Sequence, residues 1–296
     1  MNKPKPKNIE TVKTPGRPTH WGEVAEWYDT LVGNEGSEYQ REVIFPGILR
    51  LLQNRPSGEP ATRVEAREAK LKSPLKILDL ACGQGVLCRK LAEQGHDVMG
   101  IDAAEPLIVA ARKRNESKLA LRYEVGDVTK LRDNKGKLGL GLQAESFDVI
   151  TIVLAIQNMT PLSPVWQACR ELLKPGGMLI LVMMHPCFRI PRQSDWLWEQ
   201  TTGTQARLVR QYLSSSQIPI QTHPGLAAQG KDAATTTHFH RPLQAYINTL
   251  GNTGLLIDHS EEWASHKKNE PGPRQAALDQ SRKEIPMFLA LRAKRV

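Results

Sequence analysis

The stretch Ile77-Leu78-Asp79-Leu80-Ala81-Cys82-Gly83-Gln84-Gly85 decides the fold of this 296-residue chain. Leu75 to Leu80 reads as a buried strand that breaks into a tight glycine loop and opens a helix from Val86 to Gln94. Leu87 and Leu91 share one face of that helix, and Gly95 stands as its C-terminal stop. Gly83 and Gly85 lack a Cβ, so the main chain can take positive φ and let a ligand approach closely. The free N–H groups at the helix start add a partial positive charge suited to a carboxylate or a phosphate.

Two later stretches extend the pattern. Asp97 to Ile101 reads as a strand ending in Asp102, about 20 residues on, where an acid in a nucleotide-binding α/β fold holds ribose hydroxyls. Leu121 to Val125 reads as a third strand, ending in Gly126-Asp127-Val128, where an acid could accept from an exocyclic amine of adenine. Asp is also a common turn former after a strand; three acids after three successive strands are harder to explain that way. Dinucleotide binders carry G-x-G-x-x-G at such a loop, with a third glycine for close helix–strand packing. Here that third position is Cys88.

The residues Asp79-x-Ala81-Cys82-Gly83-x-Gly85 instead resemble the first motif of class I S-adenosylmethionine-dependent methyltransferases, in the variant common among small-molecule enzymes such as those of quinone biosynthesis. Asp102, Gly126-Asp127 and Leu173-Lys174-Pro175-Gly176-Gly177 match later motifs of that family. The resemblance covers roughly Trp21 to Met184; Ala81 departs from it, since many members have glycine there. It implies an α/β fold: a Rossmann-like seven-stranded sheet with helices on both faces and N-terminal lid helices; the stretch after strand five, too long for a plain connection, reads as an inserted cap. It implies S-adenosyl-L-methionine as cofactor, lying across Gly83 and Gly85, with Asp102 on the ribose and Asp127 near the adenine. Asp79, Ala81, Ala103, Val128 and Leu154 complete the implied cofactor contacts. Tyr28 is an implied lid contact, and Tyr39 a weaker one.

The composition, 40% hydrophobic and 24% charged, is ordinary for a globular protein. No apolar run approaches the length of a membrane span and no apolar signal region follows Met1, so the expectation is a cytoplasmic protein. Cys82, Cys88, Cys169 and Cys187 form no C-x-x-C pair and read as reduced, mostly buried thiols. The net charge of +9 divides into +4 over residues 1–20 and +5 over residues 263–296, leaving the body neutral. That distribution does not indicate a nucleic-acid groove, and basic ends read as solvated tails.

Along the chain, residues 1–20 are expected to be a disordered basic tail and 21–296 one domain, with a cap over about 187–240. Trp21, Val24, Ala25, Tyr28 and Leu31 recur at helical spacing. A second helix is expected from Glu38 to Gln53, kinked or restarted at Pro46, and a surface excursion over 55–73. Glu105 to Arg114 and Pro161 to Leu173 read as core helices, Phe147 to Ala155 and Met178 to Met184 as strands, and Lys174-Pro175-Gly176-Gly177 as a type II turn. The cap should hold an antiparallel pair, Ile218–Ile220 with Thr235–Phe239. Pro242 to Leu250 reads as a helix, and Leu255–Ile257 and Ile285–Leu291 as the last strands.

Methyl transfer from a sulfonium needs in-line positioning and exclusion of water, and a hydroxyl acceptor benefits from a general base. His185, at the carboxyl end of strand five, and His240, just past the cap, are the catalytic candidates; the alternative for each is a hydrogen-bonded structural histidine. Pro186-Cys187 is similar to a pyrimidine C5-methylating motif, but the companion motif is absent after strand four, where Leu154-Ala155-Ile156-Gln157-Asn158 stands. His223, His238 and His240 lack an acidic partner at ligand spacing, so no metal is expected. Trp196, Trp198, Phe188 and Phe239 could line an apolar pocket or form the cap's own core. The expected partner is a small-molecule methyl acceptor. An RNA methyltransferase using the basic ends, or a non-catalytic S-adenosylmethionine-binding protein, are the rival readings; the acceptor atom and the oligomeric state are not encoded in any motif.

Overall fold

The computed structural model describes residues 20–22, 24–53, 74–115, 119–133, 136–221 and 235–296. The basic tail and the excursion over 55–73 expected from sequence lie outside those residues, apart from residue 20. Strand β1 (Lys76–Leu80) is buried from Ile77 to Leu80, as a central parallel strand covered on both faces must be. Helix α3 (Val86–Glu93) follows it, reached after the lid helices α1 (Ala25–Val32) and α2 (Phe45–Leu52). Then come β2 (Asp97–Asp102), α4 (Glu105–Lys113), β3 (Leu121–Val125), β4 (Phe147–Val153), α5 (Ser163–Leu172) and β5 (Leu173–Met184).

The main sheet has seven strands in the order β10-β11-β5-β4-β1-β2-β3, with β10 (Leu255–Trp263) and β11 (Phe288–Arg295) closing one edge. The five strands from β3 to β5 run parallel, β11 is antiparallel to β5, and β10 is antiparallel to β11. The chain leaves β1 for β2 on one side and returns to β4 on the other. In an open α/β sheet this switch opens a crevice outside the carboxyl ends of the central strands. Apolar clusters fill both faces, one around Trp166, Phe147 and Ile152, the other around Ile48, Leu91 and Phe288.

Several elements differ from the sequence reading for identifiable reasons. Leu31 is exposed at 57%, so the lid helix buries Ala25 and Val32 instead. Pro46 restarts the second helix: a π-helical turn over Gln40–Ile44 passes into α2, with Pro46 in its first turn, where no N–H is needed. The Lys174–Gly177 turn lies inside β5: Leu173 pairs with Phe147 and Met178 with Val149, so 174–177 bulge opposite Asp148, with Gly176 at φ +73. The basic segment 263–296 is no solvated tail. It supplies β11, where Arg292 is buried and forks onto Asp258 at 2.9 and 3.0 Å.

The insertion after β5 is two antiparallel ribbons. Ribbon β8 (Ser216–Gln221) with β9 (Thr235–His240) is the expected pair. Ribbon β6 (Ser194–Glu199) with β7 (Thr204–Val209) leaves little mark in the sequence, because Trp196 and Trp198 alternate with exposed residues over only six positions. Helix α6 (Leu243–Gly251) precedes β10, and α7 (Gln275–Glu284) packs on β7, Ser281 Oγ donating to the Gln205 carbonyl at 2.8 Å. Among the described residues, no helix is long and apolar enough to cross a membrane.

Candidate functional site

The glycine loop is held in left-handed backbone at three positions, Ala81 (φ +59), Gly83 (φ +57) and Gly85 (φ +74). Only glycine enters that region without strain, so Ala81 stores strain at the crevice. At the neighbouring strand end, Leu154 does the same at φ +54. Residues that sequence reasoning passed over clamp the loop from below. The Tyr123 hydroxyl donates to the Gly85 carbonyl at 3.2 Å, and a Cβ added at Gly85 would sit 2.2 Å from the tyrosine oxygen. Gly100 makes room for the Cys82 sulfur, which would lie 2.8 Å from a Cβ there.

Asp102 ends β2 beneath the loop. Its carboxylate accepts the Gly83 N–H and the Ala104 N–H, both at 2.8 Å, and burial raises its pKa against those two bonds. Asp79 is 3% exposed; it accepts the Thr151 hydroxyl at 2.6 Å and the Cys88 thiol at 3.3 Å. Burial pushes its carboxyl up to about 6, with Asp102 adding to the effect and the two bonds opposing it. Neither acid forms an ion pair among the described residues. Two desolvated carboxylates side by side without a cation are costly, and the crevice is therefore suited to a positively charged ligand.

Tyr28, on α1, lies over Gly83, 3.4 Å from where a Cβ would stand, and packs edge-on against Trp21 at 5.5 Å. Burial, then Asp102 and Asp79, push its hydroxyl up to about 12, so it stays protonated. The lid contact expected at Tyr28 thus faces the loop. Tyr39 packs instead on Phe288 and His266 and bonds Ser265 at 3.1 Å. Tyr28, Asp79, Ala81, Gly83, Gly85 and Asp102 are brought together at this end of β1 and β2.

Ala103 is exposed beside Asp102. Asp127 caps the 3-10 turn Val128–Lys130 through Thr129, at 2.9 Å to N–H and 2.7 Å to hydroxyl, with Lys130 3.3 Å from its second oxygen. Burial works to raise its pKa, but the Thr129 and Lys130 contacts hold it low and ionised. Val128 is buried behind it. Leu154 donates its N–H to the Val182 carbonyl at 2.7 Å, and its own carbonyl accepts from Gln157, whose Oε1 is buried with no partner. The sequence offered no signal for Gln157, since an isolated Gln after a strand has no distinctive spacing.

The two histidines belong to a second group, at the end of β5 and under the cap. His185 is 2% exposed; its Nδ1 accepts the Cys187 N–H at 3.2 Å and its Nε2 lies 2.6 Å from Glu262. The Cys187 thiol donates to the Tyr212 hydroxyl at 3.4 Å, and His240 Nε2 donates to the Tyr212 carbonyl at 2.8 Å. His240 therefore keeps its lone pair on Nδ1, whereas both nitrogens of His185 are engaged. Burial holds both rings below the ordinary histidine pKa, against Glu262 in one case and the Tyr212 bond in the other. Burial, then the neighbouring His240 and Arg241, bring His238 down to about 4. Ribbon β9 sits on the turn after β4, Asn158 donating to the Thr237 carbonyl at 2.9 Å, and also meets the 20–22 turn. The cap and the N-terminal lid thus converge over the crevice.

Among the described residues no three His, Cys, Asp or Glu side chains could hold a metal; His223 lies outside them. The four cysteines are free.

Comparison with known proteins gives a consistent picture. Residues 78–181 match the methyltransferase domain family. The ubiquinone biosynthesis O-methyltransferase of Haemophilus ducreyi is 37% identical over 107 residues, 36% of this chain and 44% of that protein. That of Sinorhizobium medicae is 27% identical over 186 residues, 62% of this chain and 71% of the relative. The chain therefore spans less than half the length of the first of these relatives. A crystal structure of an S-adenosylmethionine-dependent methyltransferase from Mesorhizobium loti superposes with a TM-score of 0.58 at 27% identity, covering 78% of this chain and 96% of that one.

Proposed function

We propose that this chain, which belongs to the class I S-adenosylmethionine-dependent methyltransferases, binds S-adenosylmethionine across the glycine loop and transfers its methyl group to a small-molecule acceptor beneath the cap. The observation that carries this reading is the pair of buried acids, Asp79 and Asp102, which meet no cation among the described residues. A cationic sulfonium amino acid relieves that electrostatic cost. A bare phosphate, being anionic, would increase it.

S-adenosylmethionine supplies an activated methyl group on a leaving thioether, so the chain's task is to position and to exclude water. In this reading Asp102 keeps free lone pairs for ribose hydroxyls, and Ala103 and Val128 border the base. Asp127 offers its second oxygen to an amine. Ala81, Gly83, Gly85 and Leu154 present main chain rather than side chains, consistent with their left-handed backbone. Tyr28 closes over Gly83. Where the acceptor is a hydroxyl, as the relatives' O-methyl transfer makes the first case to test, His240 removes the proton at Nδ1. His185, with both nitrogens bonded, orients Cys187 and the turn that carries it.

The test is calorimetric titration of the full chain with S-adenosylmethionine and with NAD, followed by label transfer from S-adenosylmethionine to a panel of phenols. Binding of the sulfonium compound with turnover on a phenol is expected. Preference for NAD would overturn the reading. Sulfonium binding with no turnover on any acceptor would favour a non-catalytic cofactor-binding protein.

A further inference from the structure

In the insertion after β5 and the turn that leads into it, the charge has the opposite sign. Arg189, on the turn leaving β5, donates to the Pro286 carbonyl at 3.2 Å and the Ile285 carbonyl at 3.3 Å. Arg207, on β7, donates to the Phe188 carbonyl at 2.8 Å and the Ser194 hydroxyl at 2.7 Å. Both guanidinium carbons stand over the Trp196 ring, at 5.1 and 5.0 Å from its centroid. Among the described residues neither cation forms an ion pair. The nearby Asp195 acts on Arg207 only at longer range. Burial, then the neighbouring Arg207 and Arg282, lower Arg189 to about 10, so Arg189 is partly desolvated and feels the repulsion of other cations.

Unpaired guanidinium groups held together at the expense of mutual repulsion call for an oxyanion. Each guanidinium has five N–H groups; the two bonds to neutral protein acceptors anchor it and leave the others to act as a fork. The cluster is anchored to the turn at the end of β5. Phe188, whose carbonyl anchors Arg207, packs its ring 4.8 Å from His185 and directly follows Cys187. The Trp196 ring seats both guanidinium groups through its π face.

We propose that Arg189 and Arg207, seated on Trp196, form an oxyanion subsite that recognises a carboxylate or phosphate on the methyl acceptor. This rests on the methyltransferase reading above and adds the substrate class: a small molecule bearing an anionic group away from its methylated atom.

The test is titration of the full chain, with S-adenosylhomocysteine present, by benzoate, phenyl phosphate and the neutral benzamide. Benzoate, phenyl phosphate or both should bind at least about tenfold more tightly than benzamide, the loss expected when a charged hydrogen bond is removed. The arm that binds tells carboxylate from phosphate. Arg189→Gln and Arg207→Gln should each erase that preference while leaving S-adenosylhomocysteine affinity unchanged. Equal binding of benzamide and both anions overturns the subsite, and this comparison on the unaltered protein does not depend on either variant folding. A preference that survives both substitutions overturns it as well. If benzoate binds but S-adenosylhomocysteine does not, the methyltransferase reading fails and the subsite stands; the reverse pattern removes the subsite alone.

Discussion

Replacing Asp79 by Asn should make the ligand-free protein more stable at neutral pH and its grip on S-adenosylmethionine weaker. The carboxyl is raised from 3.8 to about 6, chiefly by burial, which corresponds to about 3 kcal/mol of destabilisation once it is ionised. Because the folded-state pKa lies above the unfolded one, the folded chain holds the extra proton between the two values. The stability tied to that proton is complete below the unfolded pKa and is lost as pH rises through about 6. Asn keeps an oxygen for the Thr151 hydroxyl but offers the Cys88 thiol no carboxylate, a loss of about 1 kcal/mol. The net gain above about pH 7 is therefore on the order of 2 kcal/mol. Urea melts of parent and variant should diverge by about 1.4 kcal/mol more at about pH 7.5 than at about pH 5. Calorimetry at neutral pH should show S-adenosylmethionine binding about tenfold more weakly, as loss of one charge-assisted contact requires. A variant that melts earlier than the parent at about pH 7.5, with the parent's pH slope intact, would refute the reasoning.

Asp102→Ala should weaken S-adenosylmethionine binding by about 1–3 kcal/mol, since a buried acceptor of hydrogen bonds is lost; a titration showing unchanged affinity removes the ribose role. Gly85→Ala drives a Cβ to within 2.2 Å of the Tyr123 hydroxyl and should cost about 1–3 kcal/mol of stability, read as a lower melting temperature together with loss of cofactor binding. Ala81→Gly releases a left-handed alanine and should raise stability by roughly 0.5–1 kcal/mol; a fall in melting temperature would show that the alanine methyl packs usefully. His240→Ala should lower kcat on a hydroxyl acceptor about a hundredfold or more with S-adenosylmethionine affinity intact. With its pKa held low by burial, the parent's rate should stay level down through the ordinary histidine range and fall only below it. A fall already centred on the ordinary histidine value would dismiss His240 as the base.

The parts of this protein that were legible in its sequence are those encoded over a few residues. A buried run followed by glycines, Ile77 to Gly85, specifies a strand, a loop and a helix start together, because strand burial and positive φ leave separate marks at adjacent positions. Asp102 and Asp127 were visible because each closes such a run. What could not be read are couplings across long separations. Thr151 reaches Asp79 from 72 positions away and His185 meets Glu262 across 77, and no spacing rule connects them. Tyr123 reads in sequence as one more apolar strand residue, whereas its hydroxyl sits under Gly85. Net charge misled for the same reason: the basic C-terminal segment folds back so that Arg292 and Lys294 flank Asp258 and Arg295 meets Glu145. Once those cations are spent on structure, the charges left over are informative. Among the described residues Asp79 and Asp102 meet no cation under the glycine loop, and Arg189 and Arg207 meet no anion in and beside the insertion after β5. Leaving a desolvated charge without a partner is unfavourable in a folded chain, so the two sets are best understood through what they receive: a cation at the carboxyl end of β1 and an anion beyond β5. The reacting groups would then meet between them.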